Sequence, residues 1–558
     1  MHFEFQKFCA LKSAGSRKRE METLNEDCLG RIFHFLPIID RIRAERVCRA
    51  WQEVGRSSWS NFTELDLSVA QLGQNPVKRK RSNWIDNNEL ECILKRCGKY
   101  VEKADFIKRN VDIDCLEVLV SYCRRIRHLS FSFVRYDLLK TLSAAFQNIV
   151  YLHIGCILFS DMQESEADFI LGKLFINNKN LNYLRFDLIE LKGYCLLSSP
   201  FYNVQEIRIK NAIDDCSENL IKALQKIKNL RSFEYTLEYE TKFGNSSIVR
   251  TLQEHVTTLT ELRLSRSGAN FIRIDDALAE LFRKNQQIQV LELSRFEHFT
   301  GKCLSSLERK SIKRIIISDC DNIQANYFRC SLPLFERLEV LGFPHVFTES
   351  FSDDSCESIS LCTRLRELTT GYLNRYTKTT STNMFLKLQQ LERLVVRGQM
   401  SGEVQSWMVN HIGISNLQNL VYLSMSEISD LNDNDILSLS TLKNLEVLRV
   451  DFHKNITGLG LGNFCRLKEL HAYWCYRLTD CYLIELLENA KKLNFLDIRQ
   501  CTLITNCVAE KAIEVTKRRE ANIPLEMYVY CTNIDVAAFR EVTPNLLYLS
   551  NCISAGIN

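Results

Sequence analysis

The sequence predicts an α/β solenoid, with parallel strands on its concave face and helices on its convex face, preceded by a small all-α segment. Three observations support this fold class. A short apolar phrase recurs along most of the 558 residues, and residues 21–60 do not follow the repeat. Stretches of helical periodicity, such as residues 276–282 and 482–490, separate the copies of the phrase. Only 7 prolines and 20 glycines occur, which excludes long flexible or proline-rich linkers between separate domains.

Composition and charge exclude several functional classes. The net charge is +4, from 72 basic and 68 acidic residues, so no general attraction to nucleic acid or to an anionic membrane is expected. No run approaches the roughly 18 apolar residues of a membrane span, and charges at Glu4, Lys7 and Lys12 argue against a signal peptide. We therefore expect a cytoplasmic and/or nuclear protein whose 22 cysteines are reduced thiols.

The segment at residues 21–60, after an expected flexible tail at residues 1–20, is predicted to be helical. Four apolar residues fall at the i, i+3, i+4 and i+7 positions of one helix face: Leu29, Ile32, Phe33 and Leu36. Asn25 is suited to cap this helix and Pro37 to end it. A second apolar stripe consists of Ala44, Val47, Cys48, Trp51 and Val54. Forty residues cannot bury all of this surface, so part of it should dock on the first repeats or on a partner.

This helical segment resembles an F-box, the domain that joins substrate receptors to SCF ubiquitin ligases. The residues that carry the resemblance are Leu24 and Leu29, Ile32-Phe33 with Leu36-Pro37, Asp40, Val47-Cys48-Arg49 with Trp51, and Trp59. One departure is Asn25, where the family usually has proline. Because asparagine caps a helix as well as proline starts one, the departure leaves the resemblance intact.

The resemblance implies binding to a Skp adaptor and, through that adaptor, to cullin and RING subunits. The residues expected to face the adaptor are Leu24, Leu29, Ile32, Phe33, Leu36, Pro37 and Val47. Trp51 is expected to hold the helices together from inside. The alternative interpretation is a helical cap that seals the first repeat, since the ends of a solenoid need polar covers.

A basic loop, residues 76–82, is predicted as an insertion near the start of the repeats. It contains four consecutive cations, Lys78, Arg79, Lys80 and Arg81, which are similar to a nuclear localisation signal. The alternative is a solvated loop without a specific role.

Residues 61–558 are predicted to form the solenoid. The repeated phrase is apolar-x-x-apolar-x-apolar, as in Leu259-x-x-Leu262-x-Leu264 and Leu493-x-x-Leu496-x-Ile498. Counting weaker copies, there are 19 phrases centred from Leu65 to Leu549, with a mean spacing of about 27 residues. That spacing is typical of leucine-rich repeats, so about 18–19 repeats should stack into a horseshoe.

Three of the repeats place a cysteine after the strand, at Cys320, Cys475 and Cys501. These repeats resemble the cysteine-containing leucine-rich repeats of F-box proteins, in which the cysteine is a small buried residue. The residues suited to cap the following helices are Thr479, Asp480, Thr505 and Asn506. No C-x-x-C and no H-E-x-x-H motif occurs, so neither a metal nor a cofactor is expected.

No catalytic constellation is recognisable, and the function predicted is therefore recognition. In a strand the residues that flank the buried middle leucine face the concave side. Those singled out for a protein substrate are Arg393, Arg397, Arg449, His471, Tyr473, Phe495 and Arg499, because arginines beside aromatic residues are typical of interface hot spots. Two functions remain open: a non-catalytic receptor subunit of an SCF ubiquitin ligase, and a repeat scaffold or inhibitor without any link to ubiquitin.

Overall fold

The computed structural model describes most of the chain, with gaps. The described residues are 25–66, 87–106, 113–158, 164–188, 191–212, 214–237, 245–266, 274–320, 322–344, 353–370, 384–396, 413–426, 431–519, 523–539 and 547–550. The chain divides into two compact units, the first made of residues 1–188 and 198–201 and the second of residues 189–197 and 202–558.

The first unit begins with three helices, α1 (Glu26–Phe35), α2 (Ile38–Ala44) and α3 (Arg49–Ser58). Its further helices are α4 (Asn87–Cys97), α5 (Ile113–Tyr122), α6 (Tyr136–Ala145) and α7 (Glu164–Asn177). They alternate with strands β1 (Glu64–Asp66), β2 (Lys103–Phe106), β3 (His128–Arg135), β4 (Tyr151–Leu158) and β5 (Tyr183–Leu188). Each of these strands pairs in parallel with the next along the chain.

The second unit contains fourteen described strands in one parallel series, each paired with its successor. They are β6 (Glu206–Ala212), β7 (Ser232–Leu237), β8 (Glu261–Arg266), β9 (Val290–Ser294), β10 (Arg314–Ser318), β11 (Val340–Phe343), β12 (Glu367–Thr370), β13 (Arg393–Val396), β14 (Tyr422–Ser424), β15 (Val447–Arg449), β16 (Glu469–His471), β17 (Phe495–Asp497), β18 (Leu525–Tyr528) and β19 (Leu547–Ser550).

The helices of the second unit lie between its strands. They are α8 (Asp214–Leu224), α9 (Asn245–His255), α10 (Asp275–Lys284), α11 (Ala325–Ser331), α12 (Asp353–Ser360), α13 (Asp433–Leu439), α14 (Asp480–Asn489) and α15 (Asn506–Arg518). Short 3-10 helices replace the α-helix in some repeats, as at Lys302–Ser306, Ile414–Asn416 and Leu461–Asn463.

The alternation of side chains along each strand explains why the apolar phrase produces this fold. In β9, Leu291 and Leu293 are buried, while Glu292 between them lies on the opposite face of the strand. The same pattern holds in β10 and β12. In each unit, therefore, one sheet face packs under helices, and none of the described helices covers the other face, which we call the open face. The predicted fold class, a small all-α segment followed by an α/β leucine-rich-repeat solenoid, is confirmed, and the described strands run from Leu65 to Leu549 as the phrases do.

The turns after several strands use the left-handed backbone region although their residues are not glycine. Phe452 and Trp474 have φ of 67° and 64°, and the backbone N–H of each donates to a carbonyl of the following repeat. In this part of the repeats, the thiols of Cys475 and Cys501 donate to the carbonyls of Val450 and Ala472 in the preceding repeat, each at 3.1 Å. Both cysteines are fully buried, as predicted. Their role is to link neighbouring repeats.

Side chains in the helical layer also join successive repeats. Asp275 at the start of α10 accepts from the backbone N–H and the hydroxyl of Thr300, at 2.9 and 3.1 Å. Asp433 binds Thr457 in the same way, and Asp480 binds Thr505. Thr505 caps α15 by accepting from the Cys507 N–H, as predicted, whereas Thr479 occupies the capping position of α14 without a side-chain capping bond. We call these pairs the Asp–Thr links.

Candidate functional site

The helices α1, α2 and α3 form a small domain with its own core. Phe33 is fully buried, and its ring meets Trp51 edge to face at a centroid distance of 5.7 Å. Leu29, Ala44 and Val54 complete the core. Asn25 caps α1 through its side chain, and the helix ends before Pro37, both as predicted.

This core corrects part of the predicted adaptor-facing set. Leu29 and Phe33 are internal, because α3 packs over the side of α1 that carries them, so neither presents a surface to a partner. Leu36 and Val47 pack against the same core but keep part of their surface exposed, and Ile32 and Pro37 are half-buried. Cys48 is exposed, which removes it from the second predicted apolar stripe. Leu24 lies outside the described residues.

An aromatic residue that the periodicity did not single out is the most exposed large apolar side chain of the domain. Phe35 is 74% exposed at the end of α1, directly before Leu36 and Pro37. The sequence carried a signal for it, since Phe35 is off the apolar stripe of α1 and an aromatic residue on the polar side of a helix must face outward. Together Phe35, Leu36 and Pro37 form an apolar surface, which we call the α1–α2 edge.

A polar cluster ties this domain to the first repeat within the same unit. Glu45, which is buried, accepts from the indole N–H of Trp59 at 2.5 Å and from Nε of Arg96 in α4 at 2.9 Å. Burial and the carboxylate of Glu45 act in opposite directions on the pKa of Arg96, which is raised overall. The indole and guanidinium donors together satisfy one buried carboxylate, so its charge is compensated inside the protein.

The open face of the second unit begins with a ladder of ion pairs. Arg208 in β6 pairs with Glu206 and lies 3.8 Å from Glu234 in β7. Further along, Glu292 in β9 is shared between Arg263 and Arg314 of the neighbouring strands, at 3.4 and 2.7 Å. These half-exposed charges neutralise one another, and such ladders are common structural features of sheets.

From β13 onward, aromatic side chains are added to the ion pairs on the open face. The guanidinium carbon of Arg393 lies 3.5 Å from the ring centroid of Tyr422, a cation–π contact between adjacent strands. His471 and Phe495 follow at a centroid distance of 4.6 Å, and Phe495 and Tyr528 at 5.4 Å. We call the open face from β13 to β19 the aromatic strip. It contains the predicted substrate residues Arg393, Arg449, His471, Tyr473 and Phe495, whereas Arg397 lies outside the described residues.

One predicted substrate residue is not available on this surface. Arg499 is only 6% exposed, because its Nε and Nη2 bind the two carboxylate oxygens of Asp497 at 2.8 and 2.6 Å. Its guanidinium also lies 5.0 Å from the ring centroid of Tyr473. Arg499 is a structural support for Tyr473.

Burial also sets the electrostatics of the aromatic strip. It raises the pKa of the Asp451 carboxyl, which accepts from the Tyr473 N–H at 2.9 Å and lies 3.7 Å from Arg449. It lowers the pKa of His471, and the nearby Arg449 lowers that pKa further. At neutral pH His471 is therefore uncharged and contributes a neutral ring to the strip.

Two features of the described residues bear on other functions. They contain no group of three or more side chains placed to hold a metal ion. None of the helices with described residues is long and apolar enough to cross a bilayer. The basic residues Lys78, Arg79, Lys80 and Arg81 lie outside the described part of the chain.

Comparison with known families identifies the N-terminal domain. The F-box domain family matches residues 21–63, which contain α1, α2 and α3. The chain therefore contains an F-box, and parallel strands of the leucine-rich-repeat kind follow it. Among curated proteins, none matches the sequence.

Solved structures offer more distant likenesses. A chain of the yeast Rad7 and Elc1 complex is 14% identical with a TM-score of 0.44, over 81% of this chain and 94% of that chain. A chain of the TLR13–ssRNA13 complex is 16% identical with a TM-score of 0.38, over 75% and 66% of the two chains. An internalin (inlF) from Listeria monocytogenes is 16% identical with a TM-score of 0.32, over 60% and 79%. None of these scores reaches 0.5, so the assignment rests on the F-box match and on the described repeats.

Proposed function

We propose that this chain is the substrate-recognition subunit of an SCF-type ubiquitin ligase. In this proposal the F-box docks on a Skp adaptor, which recruits cullin and RING subunits, and the repeats bind a protein destined for ubiquitination and proteasomal degradation. The chain itself is non-catalytic and acts by bringing the substrate close to the ligase. The observation that carries the proposal is the F-box match over residues 21–63, on a folded helical domain that leaves the α1–α2 edge exposed.

The α1–α2 edge is the surface proposed to meet the adaptor. Phe35 is the residue to test, because its exposed ring can be changed without disturbing the core formed by Phe33 and Trp51. The experiment replaces Phe35 with glutamate and measures co-purification of the adaptor. Phe169→Glu is the matched control, since Phe169 is another exposed phenylalanine, 61% exposed on α7 of the repeats.

We expect Phe35→Glu to reduce adaptor recovery at least about tenfold, since a charge buried at an apolar contact has no partner there. Phe169→Glu should leave adaptor recovery unchanged. Equal recovery from both variants would show that the α1–α2 edge is not the adaptor surface. If wild-type protein recovers no adaptor, the chain is instead a repeat scaffold or inhibitor that acts without ubiquitin.

The aromatic strip is proposed as the place where substrate binds. Half-buried aromatic rings provide a large contact area at a low cost in conformational entropy, whereas the ion pairs from β6 to β12 already satisfy one another. Arg449 in β15 is half-exposed and can add a charged hydrogen bond to a partner.

The test of the aromatic strip replaces Arg449, Tyr473 and Phe495 with alanine and compares the captured partners by mass spectrometry. The matched control is a triple variant of one arginine and two half-buried aromatic residues on the open face of the first unit: Tyr151, Tyr183 and Arg185. We expect the first variant to lose the non-adaptor partners and the second to keep them. The reverse result would place recognition on the first unit.

A further inference from the structure

Arg41 is a buried cation whose hydrogen-bonding capacity is largely unused. It lies in α2 and is 3% exposed. Its Nε donates to the Phe33 carbonyl at 2.9 Å, and its guanidinium carbon lies 4.7 Å from the ring centroid of Trp59 and 5.8 Å from that of Phe62. Among the described residues, no acceptor lies within hydrogen-bond distance of its two terminal nitrogens, Nη1 and Nη2.

A buried carboxylate that acts electrostatically on Arg41 is already engaged. Glu45 accepts from Arg96 and from the indole of Trp59, so its charge is directed at those donors. Burial lowers the pKa of Arg41, an effect that Cys97 and Glu45 only partly oppose. A buried guanidinium costs free energy unless it is both paired and hydrogen-bonded. Within the described part of the chain, one of the five N–H groups of Arg41 is bonded.

A cavity of about 340 Å³ adjoins Arg41 in the same unit. Its apolar lining includes Phe35, Pro37, Ile38 and Phe62, and its polar lining includes His34, Asn61 and Thr63. The carboxylate in the lining belongs to Glu64, which pairs with Lys103. A volume near 340 Å³ falls in the range of small-molecule sites, about 300–1,000 Å³, and is far larger than one carboxylate side chain needs.

We propose that this cavity binds a small organic anion, namely a carboxylate or phosphate ester with an aromatic or aliphatic body, and that Arg41 is its anion-binding residue. The two terminal nitrogens of a guanidinium match a carboxylate or a phosphate in a bidentate geometry. The rings and aliphatic side chains around it would enclose the apolar part of the ligand. The site goes beyond the proposed ligase function, because it needs neither adaptor nor substrate.

The experiment measures binding to the full-length chain by equilibrium dialysis with four probes: benzoate, phenyl phosphate, inorganic phosphate and neutral benzyl alcohol. We expect one molecule of benzoate or phenyl phosphate to bind per chain, at least about tenfold more tightly than benzyl alcohol, since hydrogen bonds to charged groups are the strong ones. Inorganic phosphate should bind at least about tenfold more weakly than phenyl phosphate, because it lacks an apolar body.

Three variants identify the site. Arg41→Met should weaken phenyl phosphate binding at least about tenfold, whereas Arg43→Met, the matched control on the exposed side of α2, should leave it within about twofold. Asn61→Trp starts from an exposed position in the cavity lining and should block binding without touching Arg41. This third variant keeps the test decisive if Arg41→Met does not fold.

Several results would overturn the proposal. The first is that none of the anions binds at about 10 mM, a concentration well above the dissociation constant expected for a pocket with one charged anchor. The second is equal affinity for benzyl alcohol and benzoate. The third is undiminished binding of phenyl phosphate by Arg41→Met or by Asn61→Trp. If inorganic phosphate binds as tightly as phenyl phosphate, the cavity does not bind the apolar part of the ligand. Because no adaptor is present in the dialysis, these outcomes are independent of whether the F-box binds one.

Discussion

Neighbouring residues of α1 have opposite environments, and substitutions there should separate stability from binding. Phe33 is fully buried, whereas Phe35 is 74% exposed. We expect Phe33→Ala to destabilise the F-box by about 3–5 kcal/mol, the range for losing a buried phenylalanine, and Phe35→Ala to change its stability by less than about 0.5 kcal/mol. The measurement is limited proteolysis within residues 25–63 combined with chemical denaturation. Equal protease sensitivity of the two variants would contradict the assignment of Phe33 to the core.

The buried thiols should make the protein sensitive to alkali. Burial raises the pKa of Cys475 to about 12, whereas an unfolded cysteine titrates near 8.5. The folded state therefore keeps a proton that the unfolded state loses, so the contribution of this thiol is complete below about pH 8.5 and falls as pH rises toward 12. The expected slope is about 1.4 kcal/mol per pH unit per thiol in this window.

The alkaline effect can be assigned by comparing wild type with Cys475→Ala in denaturant titrations between pH 8 and pH 10.5. The variant is less stable at pH 8 but should lose less stability as the pH rises. Parallel loss in both proteins would show that other groups cause the alkaline unfolding. Maleimide labelling gives a second check, since exposed Cys481 and Cys507 should react quickly and buried Cys475 and Cys501 slowly.

The sequence could predict burial only as far as periodicity carries it. It identified the apolar stripe of α1, the cap at Asn25 and the buried cysteines, because each follows from a local pattern. It could not tell that α3 covers the stripe, so Phe33 was assigned to a binding face. Arg499 was misjudged for a similar reason. Its pairing with Asp497, two residues away, depends on rotamers and burial that no spacing encodes.

At the scale of elements, α10 shows how one helix start joins two repeats. Asp275 is 7% exposed and accepts three hydrogen bonds, from the N–H and hydroxyl of Thr300 and from the N–H of Cys303. Its neighbour Asp276 is 88% exposed and pairs with exposed Lys302. Of these two adjacent carboxylates, Asp275 therefore joins its repeat to the next one through buried hydrogen bonds, whereas Asp276 makes an exposed ion pair.

We expect Asp275→Ala to destabilise its repeats by about 2–3 kcal/mol, because it leaves buried donors unpaired. Asp276→Ala should cost less than about 0.5 kcal/mol, as for other exposed ion pairs. Hydrogen exchange at the Thr300 and Cys303 amides is the readout, with faster exchange in Asp275→Ala alone. If both variants accelerate exchange equally, the effect comes from the helix dipole and not from the Asp–Thr link.

The elements themselves were largely predictable. The helical stretch expected at residues 276–282 is α10, and the one expected at 482–490 is α14, each starting one or two residues earlier. The starts differ because Asp275 and Asp480 belong to the first helical turn and bind the next repeat, a contact between repeats that helical periodicity does not report.

At the scale of the whole molecule, the proposed adaptor and substrate sites should be separable. Each repeat of a solenoid is stabilised mainly by its neighbours, so a change at residue 35 should not reach the aromatic strip. We expect Phe35→Glu to lose the adaptor and retain the non-adaptor partners, and the Arg449, Tyr473 and Phe495 triple variant to do the opposite. Quantitative mass spectrometry of both purifications checks this. Joint loss in either variant would show that one partner recruits the other.

The number of phrases and the fold class could be predicted from the sequence because each repeat contains the same apolar phrase, which forms a strand. Function could be predicted only from residues 21–60, which precede the repeats and have a different pattern. The aromatic strip and the cavity beside Arg41 were less accessible, since they depend on which flanking residues meet across strands or across helices. Tyr422 lies 29 residues after its partner Arg393. The lining of the cavity likewise combines Arg41 with residues as far along the chain as Phe62.

The Asp–Thr links have a consequence for how such a gene can change its length. Thr457 and Thr479 occupy the same place in consecutive repeats, and Asp433 binds the first of them. If residues 457–478 were removed, Thr479 would follow Asp433 at the same separation in sequence as Thr457 does now. Strand β15 would then pair with β17, with the leucines of the two strands still in register. Recombination at this point would thus remove one repeat and form the same type of Asp–Thr link between the repeats on either side. The number of repeats can therefore change by whole repeats without a new type of contact between them.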